Sequence, residues 1–400
     1  MKMFACNLII LIGAILVSYN NAIVLNADDG LNDELAIHRL LQVFGIEHLG
    51  QRERHHSPPE YMLDLYNAIA DSSGITRTPN PYYATIVRSF PDKDTSHHLH
   101  FFFNVTSNRP NKEEILEAEF HIYKLKTKSR DIEKLTDIRS HLLEVRVYQV
   151  MSADNKYKET GNKILDVRRI SAHSYGWEVF YVKPAVLDWL KDETQNFGLL
   201  VTVKTIMGTP ITDGTLRFAK RHQHHINKQP ILVLFSDDGK SKQKSSFPQF
   251  DFHNYGYPEL SYYSQLNRAP TNKELPINNS TSNGRLRRST EDNVSEGCSR
   301  HELYVDFEKI GWSTWIISPK GYNAYHCKGE CLFPLGQNQW PTNHATVQSI
   351  VHQLSLTAGV DTPCCVPNKL YSISLLYFDE HENVILKQYD DMVAASCGCH

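Results

Sequence analysis

The sequence predicts an α+β region followed by a small, mainly β region that contains one amphipathic helix. The chain has 400 residues, which exceeds the usual size of a domain with a single core. Seven of the eight cysteines lie between Cys298 and Cys399, and the remaining one is Cys6. The first region therefore has to fold without disulfides, whereas the second is dense in cysteine.

Composition and charge exclude several classes of protein. Hydrophobic residues make up 41% of the chain and charged residues 22%, which rules out a collagen, a coiled coil and a wholly disordered chain. Residues 289–400 contain 6 basic and 13 acidic residues. Neither part of the chain carries the dense basic patch that nucleic-acid binding requires, so we expect no nucleic-acid partner.

Residues 1–22 have the pattern of a signal peptide. Lys2 precedes a run at positions 8–17 that is apolar except for Gly13, and small polar residues follow. A helix that spans a bilayer needs about 20 apolar residues, so this run is too short. We therefore expect a secreted, extracellular protein with paired cysteines, and the alternative is a buried amino-terminal helix. Four asparagines begin N-glycosylation sequences: Asn104, Asn278, Asn279 and Asn293.

Residues 23–235 have the periodicity of an α+β core without disulfides. One helix is predicted from apolar residues at i, i+3, i+4 and i+7, namely Ile37, Leu40, Leu41 and Phe44. A second helix is predicted over residues 61–66, with Ser57-Pro58-Pro59 as its capped start. Three apolar runs predict strands at residues 142–148, 177–182 and 231–235.

Residues 236–288 predict a flexible linker that ends in a protease site. The segment is rich in Ser, Asn, Pro and Tyr and has neither a helical nor a strand period. Arg285, Arg287 and Arg288 precede Ser289, and each guanidinium can bind a carboxylate in an acidic cleft. We expect a subtilisin-like proprotein convertase to cut after Arg288, and a solvated basic cluster is the alternative.

A second dibasic pair, Lys220-Arg221, has a different character. It lacks an arginine four places before the cut that a convertase would make. We therefore expect this pair to be structural.

The cysteines of the second region occur in closely spaced groups. After Cys298 they are Cys327-Lys-Gly-Glu-Cys331, Cys364-Cys365 and Cys397-Gly-Cys399. A zinc site is an alternative, but secretion and the adjacent pair argue against it, and an odd count predicts one bridge between molecules. The spacings permit a ring of residues 327–331 and 397–399 around a third bridge, where Gly329 and Gly398 would keep side chains away from the threading sulfurs. Spacing alone does not choose among the connectivities.

Apolar periodicity predicts strands, one hairpin and one helix in the second region. Alternation predicts the strands at Leu303, Val305 and Phe307 and at Ile373, Leu375 and Tyr377, and residues 379–383 are the predicted turn. A helix is predicted to start near residue 343, with an apolar face formed by Val347, Ile350, Val351 and Leu354. A region this small has little core of its own, so the face needs a partner surface.

Longer segments of specific sequence accompany the cysteine motifs. They lie at residues 298–307, 311–319, 342–351 and 383–393, and two looser ones lie at 58–66 and 176–190. Together with the Cys-x-Gly-x-Cys, Cys-Cys and terminal Cys-x-Cys motifs, they resemble the bone morphogenetic protein branch of the transforming growth factor β superfamily. The resemblance implies an α+β prodomain at residues 23–235, followed at 289–400 by a small, mainly β cystine-knot growth-factor domain with one amphipathic helix.

The same resemblance implies a set of disulfides and a dimer. The implied bridges are Cys298–Cys365, Cys327–Cys397, Cys331–Cys399 and an interchain bridge through Cys364. The helix of one protomer is then expected to pack on the curved sheet of the other.

Two exposed apolar zones are also implied, and each would be a receptor epitope. The wrist epitope for type I receptor kinases would contain Trp312, Trp315, Phe333, Pro334, Leu335, Tyr389 and Met392. The knuckle epitope for type II receptors would contain Ser318, Pro319, Ser374, Leu376 and Leu386. Ser318 and Lys320 depart from the family pattern, which often has alanine and proline there. Aromatic anchors and rigid prolines are typical of binding hot spots, and dimer core is the alternative for the two tryptophans.

The implied function is that of a secreted signalling ligand released by a convertase. It would act as a disulfide-linked homodimer, or as a heterodimer with a related ligand, and would bridge type I and type II serine/threonine kinase receptors to activate Smad signalling. A role in dorsoventral patterning and binding to extracellular antagonists are implied as well. Residues 289–297 contain three acids and no base, so we expect weak glycosaminoglycan binding.

Two other classes of function are alternatives to a signalling ligand, namely an enzyme and an antagonist. The sequence contains no G-x-S-x-G, H-E-x-x-H or phosphate-loop motif, so we expect neither an enzyme nor a cofactor. A secreted cystine-knot antagonist of such ligands is the serious alternative. The convertase site after a large cysteine-free region, together with Trp312 and Trp315, favours a ligand.

Overall fold

The computed structural model of the chain describes most of the two predicted regions. The described residues are Arg39, Leu41, Phe44, 57–96, 98–105, 113–127, 142–211, 216–220, 226–239 and 297–400. Arg39, Leu41 and Phe44 are helical, in agreement with the predicted first helix. Several predicted features lie outside the described residues, namely the signal peptide, the linker from residue 240, Arg285, Arg287, Arg288, Ser289, Asn278, Asn279 and Asn293.

The amino-terminal region combines helices and strands. In chain order its elements are α1 (Glu60–Ile69), β1 (Ile86–Pro91), β2 (His100–Phe101), β3 (Glu114–Lys124), β4 (Leu142–Gln149), β5 (Lys163–Ser171), β6 (Gly176–Tyr181), α2 (Lys183–Lys191), β7 (Leu199–Thr205) and β8 (Ile231–Asp237). Strands β4, β6 and β8 confirm the three strands predicted from apolar runs. None of the helices in the described residues is both long and apolar enough to cross a bilayer.

Two boundaries in this region differ from the prediction. Helix α1 starts after Pro59 without a side-chain cap, because a proline side chain has no acceptor atom. The Pro59 carbonyl accepts the N–H groups of Met62 and Leu63 at 3.1 and 3.3 Å. The linker does not begin at Ser236, because Ser236 and Asp237 continue strand β8. Ser236 pairs there with Ile86 of β1, which extends the strand by two residues.

The carboxy-terminal region is mainly β with one α-helix. Its elements are β9 (Ser299–His301), β10 (Tyr304–Asp306), β11 (Ile316–Ser318), β12 (Gly321–Asn323), β13 (His326–Lys328), α3 (Asn343–Gln353), β14 (Cys365–Phe378) and β15 (Val384–Cys399). Helix α3 starts at the predicted residue because the Thr342 hydroxyl accepts the Ala345 N–H at 3.1 Å. The predicted hairpin is formed by β14 and β15 around residues 379–383.

One sheet joins the two regions. Its strand order is β11-β14-β15-β1-β8-β3-β6, so β1 connects the β14–β15 hairpin to the strands of the amino-terminal region. In the antiparallel pairing of β1 with β15, Ile86 lies opposite Lys387 and Ser89 lies opposite Val384. The hairpin edge that a free carboxy-terminal domain would expose is therefore covered by a strand of the same chain.

A second sheet completes the core of the amino-terminal region. It has the order β2-β7-β4-β5 and shares one apolar core with the first sheet and with α2. Phe120 of β3, Phe180 of β6 and Trp189 of α2 are fully buried in that core. This core holds β1 and β8 in place, and thereby fixes the position of α1 against the hairpin.

Candidate functional site

The six cysteines of the predicted knot form three disulfides. The pairs are those that the resemblance implies, Cys298–Cys365, Cys327–Cys397 and Cys331–Cys399, with Cα separations of 5.4, 5.6 and 5.8 Å. The Sγ atoms of Cys298, Cys331 and Cys399 lie within 4.8 Å of one another. Zinc would need free thiolates, and each of these sulfurs is bonded to a second sulfur, so this cluster is not a zinc site.

The two glycines of the knot have different local roles. Gly329 has a φ of 118°, a conformation that side chains rarely adopt. At Gly398 a Cβ atom would lie 3.0 Å from the Trp340 carbonyl oxygen and 3.0 Å from His400 Nε2. The three heavy atoms nearest to such a Cβ belong to His400, Trp340 and Gln339, so these residues also require glycine at this position.

Cys364 is the cysteine that the knot leaves unpaired. Its side chain is a free, exposed thiol. The backbone around it is held by two hydrogen bonds, from the Cys364 N–H to the His400 carbonyl at 2.9 Å and from the His400 N–H to the Cys364 carbonyl at 3.0 Å. A thiol on a fixed, exposed backbone position is suited to a bridge with another molecule.

The outer face of helix α3 is apolar and exposed. Val347, Ile350 and Leu354 are 59%, 40% and 61% exposed, and Leu354 lies just after the end of the helix. Ala345 and Ser349 form the buried side of the helix. The helix therefore presents to solvent most of the face that was predicted to need a partner.

Four residues of the predicted wrist epitope pack in one cluster with a residue of the amino-terminal region. Trp312 and Trp315 are 1% and 3% exposed, although they were predicted to form an exposed surface. Phe44, itself fully buried, packs edge-on against Trp312 and Tyr389, with ring centroids 5.5 and 5.0 Å apart. Met392 packs against the same cluster. Phe44 thus fills the position that another apolar side chain would need in order to bind here.

A polar contact accompanies this packing. The Tyr389 hydroxyl donates a hydrogen bond of 2.7 Å to the Phe44 carbonyl oxygen. Burial raises the pKa of Tyr389 well above its usual value, and burial also raises the pKa of neighbouring Tyr377 to about 12. The Tyr389 hydroxyl therefore keeps its proton at neutral pH and can act as the donor.

The other predicted wrist residues lie outside this cluster. Phe333 is 50% exposed, Pro334 is exposed and Leu335 is half-buried. None of the three belongs to the apolar cluster around Phe44. Within one chain the structure therefore brings together Trp312, Trp315, Tyr389 and Met392, and leaves the remaining residues of the predicted epitope apart from them.

Two residues of the predicted knuckle epitope lie under helix α1. Leu376 and Leu386 are fully buried in a cluster with the apolar face of that helix, which consists of Met62, Leu65, Tyr66 and Ile69. Burial raises the pKa of Tyr66 to about 12, and the nearby Ser318 side chain opposes this shift. The amphipathic pattern that predicted a helix here thus identifies the side that contacts the hairpin.

The segment after α1 contacts further residues of the predicted knuckle epitope. The Ser374 N–H donates to the Gly74 carbonyl at 2.8 Å, and the Ser374 and Thr76 hydroxyls lie 2.8 Å apart. Gly74 has a φ of 81°, and a Cβ atom there would lie 2.7 Å from Pro319 Cγ. Only glycine permits this close approach. Helix α1 and the segment after it together contact all five residues of the predicted knuckle epitope.

Sequence analysis did not identify a buried ion pair within the amino-terminal region that supports β1, the strand paired with β15. Arg88 of β1 lies opposite Ile385 and makes two hydrogen bonds to the buried Glu113 carboxylate, at 2.5 and 2.8 Å. Arg88 is the one charged residue in the strand Ile86–Pro91, and this was a signal that could have pointed to a buried partner. The contact of Phe44 with Trp312 had no such signal, because periodicity shows only that a helix face is buried.

Lys220 is the described residue of the dibasic pair Lys220-Arg221, and it has a structural role, as expected. Lys220 is 5% exposed and donates a hydrogen bond of 2.6 Å to the His100 carbonyl oxygen. Its ammonium also lies 4.0 Å from Asp92 and from Asp94. A lysine held in this way is not available to the acidic cleft of a protease.

Comparison with known proteins agrees with this architecture. Residues 33–235 match the family described as TGF-beta propeptide, and residues 297–399 match the family described as Transforming growth factor beta like domain. Bone morphogenetic protein 4 of Rattus norvegicus and bone morphogenetic protein 4 of Suncus murinus are each 31% identical to the chain. Each comparison covers 90% of this chain and 85% of the relative.

These matches span both regions and include the disulfide-bonded domain. Growth factors of this kind are signalling ligands and not enzymes. The chain therefore belongs to the transforming growth factor β superfamily, as a precursor of the bone morphogenetic protein branch with a prodomain and a cystine-knot growth-factor domain.

Proposed function

We propose that this chain is the precursor of a secreted, extracellular ligand that bridges two classes of receptor. A proprotein convertase cuts after Arg288 and separates the prodomain from residues 289–400. Two growth-factor domains form a homodimer, or a heterodimer with a related ligand, through Cys364 and helix α3. The dimer binds type I receptor kinases at the wrist epitope and type II receptor kinases at the knuckle epitope, which activates Smad signalling. By resemblance, the process served is dorsoventral patterning.

The observation that supports this proposal is that the amino-terminal region covers residues of both proposed epitopes. Phe44 fills the wrist epitope and α1 covers the knuckle epitope, while all three disulfides lie within residues 298–399. After cleavage of the chain, only non-covalent contacts among the described residues would hold the cover. Its departure would expose large aromatic and aliphatic side chains, which are typical of binding hot spots.

The cover also predicts the order of events. Residues that pack against Phe44 or α1 cannot pack against a receptor at the same time. Receptors and the prodomain therefore compete for the same surfaces, and the cleaved complex signals only to the extent that the prodomain opens. Extracellular antagonists that bind either epitope would meet the same competition.

The exposed face of α3 supports the dimer. Val347, Ile350 and Leu354 are large apolar side chains that the described part of the chain leaves open to solvent. A second protomer can cover them with its finger sheet, and Cys364 can bridge the pair. We further propose that Phe333 and Pro334, which precede this helix in the chain, complete the wrist epitope beside the tryptophans of the other protomer.

Receptor-regulated Smad phosphorylation in responsive cells tests the proposal. Conditioned medium containing the wild-type protein should raise it, whereas the double variant R285A/R288A should be secreted uncut and should signal little. The matched control is R221A, which removes an arginine from the other dibasic pair and should be processed normally. Normal release of a fragment of about 112 residues from R285A/R288A would contradict the assigned cleavage site.

The same assay separates a ligand from an antagonist. A ligand raises Smad phosphorylation when it is added alone, whereas an antagonist lowers the response to another bone morphogenetic protein. We expect the first result from the cleaved dimer. Inhibition without any activity of its own would refute the proposed function.

A further inference from the structure

A polar cleft lies between the prodomain and the tip of the growth-factor hairpin. Its volume is about 280 Å³. Lys93 and Asn104 line it on the prodomain side, and Glu380, His381, Glu382 and Asn383 line it on the growth-factor side. The cleft therefore places the first residue of an N-glycosylation sequence, Asn104-Val105-Thr106, beside the turn of the hairpin.

The backbone on the prodomain side of the cleft is fixed. Phe103 and Val105 are 0% and 1% exposed, whereas Asn104 between them is exposed. The Asn196 amide donates a hydrogen bond of 2.8 Å to the Phe103 carbonyl oxygen. Asn104 therefore stands at the surface between two buried neighbours, which is a position where a bulky group can be attached without disturbing the core.

The opposite wall of the cleft is fixed as well. Asp379 accepts hydrogen bonds from the backbone N–H groups of His381 and Asn383, at 2.8 and 2.9 Å, and from the Asn383 side-chain amide at 2.8 Å. The His381 side chain remains 42% exposed. Carboxylates and an imidazole on a rigid turn are suitable hydrogen-bond partners for sugar hydroxyl and acetamido groups.

We propose that Asn104 carries an N-linked glycan whose first sugars occupy this cleft, so that the glycan shields residues 379–383 of the growth factor while the prodomain stays docked. This inference rests on the secretory route of the proposed function. In the transfer, the Asn104 amide nitrogen forms a bond to the anomeric carbon of an oligosaccharide. The polyprenyl diphosphate that carried the oligosaccharide is the leaving group, and the amide nitrogen loses one proton.

A neutral sugar in the cleft would lie beside Glu380, Glu382 and Lys93 and would add no charge there. Departure of the prodomain would remove the glycan with it and would uncover the tip of the hairpin. Attachment of the sugar is thus expected to change what can reach the tip in the precursor, and to leave the released growth factor unchanged.

The experiment uses the full-length precursor secreted from eukaryotic cells. N104Q and T106A each destroy the acceptor sequence, and T106S is the matched control that preserves it. Peptide mass spectrometry with and without an amidase that removes N-glycans reports whether Asn104 is modified. Diethylpyrocarbonate labelling then measures the access of reagent to His381, with the exposed His344 on α3 as the internal reference.

We expect the wild type and T106S to carry sugar at Asn104, and their His381 to be labelled several-fold more slowly than in N104Q and T106A. Labelling of His344 should be equal in all four proteins. Enzymatic removal of the glycan from the folded wild-type precursor should raise His381 labelling to the level of N104Q, which keeps the test independent of any folding defect in the variants.

Three results would overturn the inference. They are secretion without sugar at Asn104, sugar at Asn104 with unchanged labelling of His381, and equal changes at His381 and His344. None of these would affect the proposed receptor function. A precursor that eukaryotic cells do not secrete would instead overturn the secretory route on which both proposals depend.

Discussion

Replacement of Phe44 by alanine is expected to loosen the cover on the wrist epitope. Phe44 is fully buried, and its ring contacts those of Trp312, Tyr389 and Phe307 edge-on. The substitution removes the ring and leaves the backbone carbonyl that accepts the Tyr389 hydroxyl proton. The change therefore acts on packing, while the polar contact can persist.

The size of the effect follows from the burial of the side chain. A fully buried phenylalanine replaced by alanine costs about 3–5 kcal/mol. We take the lower value, because the hydrogen bond from Tyr389 remains possible. In the cleaved complex about 3 kcal/mol corresponds to an increase of about 150-fold in the equilibrium constant for opening of the wrist epitope. The apparent Kd for a type I receptor should fall by a similar factor, until the open form predominates.

The assay is binding of the cleaved, prodomain-associated dimer to an immobilised type I receptor ectodomain. The matched control is R39A, because Arg39 is exposed in the same helical segment. An exposed substitution of this kind should change the free energy of docking by less than about 0.5 kcal/mol. The rate at which the prodomain dissociates from the growth factor is a second measurement, and it should rise for F44A and not for R39A.

Equal receptor binding by the two variants would contradict a blocking role of Phe44. If F44A and R39A bound the receptor with equal affinity while the prodomain of both stayed attached, Phe44 would not block the wrist epitope. If the wild-type dimer bound the receptor with equal and high affinity with and without its prodomain, the prodomain would not block receptor binding.

The remaining predictions concern acid stability, the covalent dimer and polyanion binding. Burial raises the pKa of Asp92 from 3.8 to about 6, so Asp92 binds a proton in the folded state at a higher pH than in the unfolded state. Its contribution to the free energy of unfolding should therefore be largest below pH 3.8 and be lost as the pH rises through about 6. The change is about 3 kcal/mol, and urea unfolding at pH 4 and pH 7 should show this dependence in the wild type and lose it in D92N. C364S should run as a monomer on non-reducing gels with its three disulfides intact, and a persistent disulfide dimer would show that another cysteine forms the bridge. The cleaved dimer without prodomain should elute from heparin at low salt, because residues 289–400 carry 6 basic against 13 acidic residues, and elution only at high salt would contradict this charge argument.

Features that depend on neighbours in the chain were predictable from the sequence. Helix α3 starts where Thr342 can cap it, and the hairpin turns where Asp379 can accept the N–H groups of His381 and Asn383. These contacts join residues at most four positions apart. Local side-chain chemistry is sufficient to place them.

Disulfide connectivity required more than spacing. The pairing of β14 with β15 sets Cys365 opposite Cys399 and Pro367 opposite Cys397, which brings the ends of both strands to the knot. Cysteine spacing does not contain that register, so several connectivities stayed open until family resemblance chose among them. Bonded cysteines usually have Cα atoms about 4.4–6.8 Å apart, and only the folded strands decide which ones approach this closely.

The sequence by itself determined the signal pattern, the arginines before Ser289, the odd number of cysteines in the second region and the apolar faces of the helices. Tertiary structure alone decided what those faces contact. Alternation at Ile373, Leu375 and Tyr377 predicted one buried face of strand β14, yet Leu376 on the other face is buried too, because α1 lies over it. The hydrophobic effect is not directional, so periodicity shows that a surface leaves water and does not show which surface, about 300 positions away in the chain, will cover it.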